Sequence, residues 1–486
     1  MADFEAASLR ATISQLATDH DASGEQRPEV GEVFAPVQHA SALAPTTLIV
    51  VGARGAGKSF WAGVLERPET RALAAEVYPN LGLDKLLVRF GYTGFGEGSA
   101  VSRQVVQARV PSNDHDAAVV FWQTVILRAG WSAIGDHRGG EPMSNLLNDY
   151  SDPELFEVEL RRVDEVLQGQ DRVALVIFDA LDTLSREWKR LTELTDALFE
   201  AVWLLRARKN LKAKIFIRPD QLNDEGLRFV ELPKLRGGRV ELNWSRRDLY
   251  GLLFARILEA EQTNGSTDFQ ILSTLEGAPP PASNAARLRT WPLARYEERQ
   301  KRVMERLSGQ YMGASSTKGA TYPWTFNHLA DGKGVVTPRS FLKLFVEAAN
   351  SHVTSSALTL PPESLRHGLR EASKIRVEQL ALEYRWIKRA LAPLAGLKVP
   401  CQRYEIHDLW EWSGTVKTIQ LAAEQENFLP PYKGSPERSP EEGLELAMER
   451  IGVISYRPDG RVDIPDLFRI AARMFKLGGV ALQPKA

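Results

Sequence analysis
The chain has 486 residues, 43% hydrophobic and 25% charged, a composition that excludes collagen-like and wholly disordered chains and a length that suggests roughly three domains. Lys plus Arg number 61 against 62 Asp plus Glu, so nothing global marks a nucleic-acid binder. The single cysteine, Cys401, excludes an intramolecular disulfide and a cysteine-rich metal cluster; with no basic-then-apolar N-terminus and no long uninterrupted apolar run, a cytoplasmic protein without signal peptide or transmembrane helix is expected.

Near the N-terminus, Phe4, Leu9, Ile13 and Leu16 fall near one face of a helix over residues 3–17. The polar stretch DHDASGEQRPEVGE then reads as loop. Residues 46–51, TTLIVV, form a short β-branched run of the buried-strand type. It leads into GARGAGKS and a helix that continues to Pro68. KLLVRFGY, 85–92, is a candidate strand. Residues 117–129 and 153–168 read as helices, with GDHRGGEPMSNLLNDYSD between them as a Gly- and Asn-rich loop. VALVIF, 173–178, and AKIFI, 213–217, are strongly apolar strands on either side of a helix over 191–208, and 239–243 is the next strand. Strands alternating with helices predict an α/β fold with a parallel sheet.

Beyond residue 258 the character changes. Residues 262–285 read as loop, 295–349 as helical, and 375–391 as a helix stopped by Pro393. A helix over 440–451 precedes VISYRPDGRVDI, whose Asp-Gly turn predicts a β-hairpin, and a helix over 465–475 closes the chain. Helices followed by a hairpin suggest a winged-helix module. The expected organisation is an N-terminal extension at 1–45, an α/β core at 46–258 with an insertion at about 93–160 lying over its site, a helical lid at 259–372 and a winged-helix-like domain at 373–486.

GARGAGKS matches the Walker A pattern G-x-x-x-x-G-K-[ST], with a strand before it and a helix opening inside it. Gly52, Gly55 and Gly57 allow a tight turn whose N–H groups point inward. The helix N-terminus adds positive partial charge. Lys58 is expected to reach the β- and γ-phosphates, Ser59 to give its hydroxyl to Mg²⁺, and Phe60 to lie beside the bound nucleotide. VALVIF ends at Asp179, the expected Walker B acid, which would hold Mg²⁺. Asp182, three residues on, is a candidate to orient or deprotonate the attacking water, or else caps the following helix. AKIFI ends at Arg218, placed by its strand end to sense the γ-phosphate or, alternatively, to pair with a surface carboxylate.

The trio GARGAGKS, VIFDALDTL and KIFIRPDQL resembles the STAND and AAA+ branch of P-loop ATPases. In STAND proteins with NACHT domains a second acid follows the first by three residues, as Asp182 does, and the next strand ends in an Arg-Pro pair, like Arg218-Pro219. The segments LNW and RDLY near 242–250 are similar to the end of the last core strand and the first lid helix. VTPRSFL, 336–342, resembles the sensor-2 segment of AAA+ lids, which implies that Arg339 reaches the nucleotide. The resemblance implies ATP and Mg²⁺ as ligands, ATP hydrolysis that drives conformational change or homo-oligomeric assembly, a partner effector protein, and a defence-type role. The chain departs from AAA+ proteins in having Ala180 where a Glu usually follows the Walker B Asp.

Two further readings stand beside this one. Ala180 suits a nucleotide switch with little turnover. A winged helix carrying Arg457, Arg461, Arg469, Arg473 and Lys476 suits an ATPase that engages duplex DNA, although Asp459, Asp463 and Asp466 offset that charge. Arg186, Arg190, Arg206 and Arg208 are candidate fingers acting in trans. His115 between two aspartates lacks a second histidine at ligand spacing, and Cys401, Trp410 and Trp412 read as packing residues.

Overall fold
The computed structural model describes residues 4–18, 27–94, 96, 98–224, 226–431 and 438–476. Residues 19–26 of the expected first loop, and Phe95 and Glu97 of the glycine-rich segment GYTGFGEG, lie outside the described residues. The chain divides into two compact units, one formed by Asp19–Asn243, the other by Met1–Thr18 with Trp244–Ala486.

The first unit is built on a five-stranded sheet with β1 Ile49–Val51, β2 Leu86–Tyr92, β3 Val173–Phe178, β4 Leu211–Ile217 and β5 Val240–Glu241. The strand order is β2-β3-β4-β1-β5 and every pair is parallel. The apolar runs of β1, β3 and β4 are buried along almost their whole length, because helices cover both faces. Lys58–Glu66 packs on β2 and β4, and His115–Ile134 packs on β2 and β3 between Pro153–Gly169 and Trp188–Trp203. His115–Ile134 is long and apolar enough to pass for a membrane span, but Phe121, Trp122, Val125, Ile126 and Leu127 are buried in the unit's core. The segment 93–160, expected to lie over the site, thus supplies a helix that covers the sheet face.

The second unit is mostly helical. Pro338–Asn350 packs along Pro362–Glu383, and the approach is close enough that a β-carbon at Gly368 would collide with the Leu344 carbonyl. Ala6–Ser14 packs against Pro338–Asn350 and Arg246–Asn264. Towards the C-terminus lie two short sheets. β6, Lys398–Val399, runs parallel to β9, Phe475–Lys476; β7, Ser455–Tyr456, runs antiparallel to β8, Val462–Asp463. The helices Arg403–Trp412, Thr415–Glu426 and Pro440–Arg450 pack on one another beside them.

Several expectations change. The loop expected near 136–152 holds the helix Met143–Asp149, because Met143 and Leu146 are buried. The loop expected at 262–285 holds the end of Arg246–Asn264, closed by Gly265 at φ +77°, and the helix Asp268–Leu275. The expected boundaries at 258 and 372 fall inside the continuous helices Arg246–Asn264 and Pro362–Glu383. The closing helix shortens to Asp466–Arg469, and Phe475 is drawn into a strand by the Leu397 carbonyl. The Asp-Gly hairpin forms at 455–463.

Candidate functional site
All five strands of the sheet run the same way, so the carboxyl ends of β1, β3 and β4 lie on one edge. Val51 sits opposite Ile217, and the Gly52 N–H donates to the Ile217 carbonyl at 3.1 Å. The connection from β1 leads to the far edge at β2, while that from β4 leads past β1 to β5. The crossovers therefore diverge between β1 and β4, and a ligand crevice in an open parallel sheet opens at such a point. Gly52 and Arg218 are the residues leaving those two strands.

Between β1 and Lys58–Glu66 the backbone turns through Gly55 at φ +81° and Gly57 at φ +101°, a region that costs side-chain-bearing residues roughly 1–2 kcal/mol. Gly57 is the N-cap of that helix, and having no side chain it cannot cover the first-turn N–H groups. A β-carbon on Gly52 would lie 3.2 Å from Lys58 Cγ. The Lys58 stem therefore lies along the loop, and its ammonium donates to the carbonyls of Gly52 at 2.7 Å and Ala53 at 3.2 Å.

Asp179 leaves β3 with only 2% of its surface exposed. Its carboxylate lies beside the Ser59 hydroxyl and within the field of Lys58. Burial pushes the carboxyl upward from its usual range, while the Ser59 hydroxyl, the Lys58 charge and the Ala180 N–H act in the opposite sense. Lys58, Ser59 and Asp179 are thus brought together. Ala180 follows at φ +54° and opens the 3₁₀ turn Leu181–Thr183, which carries Asp182 to an exposed position. Arg218, at the end of β4, is buried. Its guanidinium forks onto Asp220, with Nε at 3.0 Å and Nη2 at 2.5 Å, and its Nη1 lies 3.7 Å from Asp182. Asp220 is thus the residue that aims Arg218, two positions beyond it. Phe60 meets Trp61 edge-on, with ring centroids 5.9 Å apart.

Arg339 belongs to the other unit, in the first turn of Pro338–Asn350. In the C-terminal region four of the five basic side chains singled out above carry carboxylate partners: Arg457 and Lys476 on Asp463, Arg461 on Asp459, and Arg469 on Asp466. Of the candidate fingers, Arg190 pairs with Glu193 and Arg206 lies over the Trp203 ring. His115 pairs with Glu200, and burial pushes the Cys401 thiol up to about 11, which makes it a poor nucleophile. Trp410 is buried, and Trp412 is 88% exposed. Among the described residues no three His, Cys, Asp or Glu side chains converge on a common point.

Tyr92 and Thr183 had no local signal. Tyr92 ends β2, far from either motif in sequence, and only sheet pairing brings its phenol to Thr183. Comparison of the chain with family models, with curated proteins and with solved structures found no match.

Proposed function
We propose that the unit Asp19–Asn243 binds ATP with Mg²⁺ and hydrolyses it, as a P-loop ATPase of the STAND and AAA+ kind, and that the second unit combines a helical lid with a winged-helix-like module. The observation that carries this reading is the Ser59 hydroxyl beside the buried Asp179 carboxylate, next to Lys58 and a glycine-capped helix N-terminus. A hydroxyl, a carboxylate and an ammonium at a helix N-terminus form a donor set for a polyphosphate and a hard cation. Mg²⁺ takes one or two protein ligands and fills the rest of its shell with water and phosphate oxygen, so a site without an acidic cluster fits it. Ser59 and Asp179 would hold the ion, which when bound neutralises charge on the phosphate oxygens.

The chain's own groups account for the remaining work. The loop N–H groups and Lys58 bind the phosphates, with Lys58 exchanging the Gly52 and Ala53 carbonyls for phosphate oxygen. Asp182, exposed at the same sheet edge, orients water towards the γ-phosphorus and takes its proton as the bond to the leaving ADP oxygen breaks. Arg218 lends positive charge near Asp182. Arg339, from the second unit, would sense the nucleotide and couple its state to that unit. Ala180 favours slow turnover, in which ATP occupancy acts as the signal for assembly with further copies of the chain.

Measuring ATP binding and phosphate release by the full-length protein, beside Lys58→Ala and with Mg²⁺ chelated, tests the reading. Lys58→Ala is expected to lose at least about tenfold in nucleotide affinity and chelation to stop phosphate release. Absence of nucleotide binding by the wild type, or turnover indifferent to both changes, overturns it. Tight binding without phosphate release would select the switch form.

A further inference from the structure
The turn that carries Asp182 is held from outside its own loop. The β2–β3 register shifts between Phe90 and Tyr92, so that Tyr92 lies opposite Phe178, the last residue before Asp179. The Tyr92 carbonyl accepts the Asp179 N–H at 2.9 Å. Its phenol oxygen lies 2.8 Å from Thr183 Oγ1. Thr183 gives its own hydroxyl proton to the Ala180 carbonyl at 2.7 Å, so the phenol is the donor between them. One residue thus brackets both acids, Asp179 through its main chain and Asp182 through the neighbouring Thr183.

The same strand exit also leaves room for the Thr183 hydroxyl. Gly94, at φ +88°, leaves no β-carbon where one would stand 3.0 Å from Thr183 Oγ1. The turn needs such support, because Ala180 sits in the left-handed region at a cost of roughly 1–2 kcal/mol. Tyr92 is itself fixed, fully buried and edge-on to Trp122 with centroids 6.3 Å apart. Burial keeps its phenol protonated, with Arg103 and Asp182 the charges that face it.

We propose that Tyr92 is the positioning residue of this site: it touches no substrate, and its bond to Thr183 sets where Asp182 stands for attack on the γ-phosphate. This rests on the ATP-hydrolysis reading above. Losing the bond releases the turn rather than the nucleotide, so Tyr92→Phe should lower kcat about tenfold while KM and nucleotide affinity stay within about twofold.

The deciding experiment is a cycle of Tyr92→Phe and Asp182→Asn in the full-length chain, with Thr183→Ser and Thr183→Val alongside. If Tyr92 acts through Asp182, Tyr92→Phe costs about tenfold in the wild-type background and nothing further in Asp182→Asn. Thr183→Ser, which keeps the hydroxyl, retains turnover, and Thr183→Val matches Tyr92→Phe. An equal loss in both backgrounds, or no loss in either, overturns the proposal. Amide exchange across residues 179–183 reads the same bond without catalysis. It should quicken in Tyr92→Phe at unchanged melting temperature, and unchanged exchange also overturns the proposal. A wild type with no Lys58-dependent turnover, yet with faster exchange in Tyr92→Phe, would place the failure in the hydrolysis reading and leave the turn's support standing.

Discussion

A β-carbon added at Gly52 would stand 3.2 Å from both Ala56 Cβ and Lys58 Cγ. Ala56 is buried on the turn's own backbone and has no room to yield, so the longer Lys58 stem is the neighbour that must shift. Gly52→Ala therefore moves Lys58 off its present course along the loop. The expected result is a loss of about tenfold in ATP affinity with little change in melting temperature, read by calorimetric titration and thermal unfolding. A substitution that lowered stability and spared affinity would show that Lys58 does not bind the phosphates from this course. The glycines and Lys58 are legible from eight consecutive residues because their roles are local: positive φ, a bare helix N-terminus and a short reach. The fork of Asp220 on Arg218 is local too, two residues apart, but nothing in the spacing tells a forked arginine from a free one. The Tyr92–Thr183 bond leaves no trace in sequence, since it joins residues 91 positions apart through strand pairing.

At the scale of elements, the sheet was readable where burial is complete. β1 and β3 are continuous apolar runs and β4 ends in one, because helices cover both faces, and such runs announce themselves. β5 keeps only Val240–Glu241 of its five expected residues, as its pairing with β1 ends there. The misread stretches share another cause: polar or glycine-bearing segments such as QTNGS cap helices rather than separate them. Pairing between distant helices is likewise silent in sequence. His328, on Thr321–Leu329, bonds to Asp466, 138 positions away at the start of Asp466–Arg469. Burial raises the Asp466 carboxyl, but the His328 hydrogen bond and the Arg469 charge outweigh it and hold the group down at about 2. A folded value below the ordinary 3.8 stabilises the fold above about pH 4, and that contribution is lost as pH falls towards about 2. These contacts should contribute about 2 kcal/mol at neutral pH. Asp466→Asn is expected to lower stability near neutrality and to flatten its fall between about pH 4 and pH 2, measured by denaturant unfolding across that range. An unchanged acid limb would remove Asp466 from the account.

At the scale of the whole molecule, the unit Asp19–Asn243 is an insertion in the chain of the other unit, which resumes at Trp244. The return is secured by Ala6–Ser14, whose Leu9 and Ile13 are buried in the second unit. Arg10 on that helix donates to the carbonyls of Ala348, Ala349, Ser351 and Val353, which lie at and beyond the end of Pro338–Asn350. A cation at a helix C-terminus meets carbonyls that lack helical partners, and charge-assisted bonds of this kind are the strong ones. Arg10→Ala leaves those carbonyls without their donor and should cost the second unit about 2–3 kcal/mol. The proposed phosphate- and metal-binding residues Lys58, Ser59 and Asp179 lie within Asp19–Asn243, so the affinity they supply does not depend on that cap. Thermal unfolding of the full-length chain with and without ATP separates the two effects. Arg10→Ala is expected to lower the transition of the second unit, while ATP still raises that of the first by the same increment. If the mutation instead erased the ATP-dependent shift, nucleotide binding would depend on the second unit as well as on Asp19–Asn243.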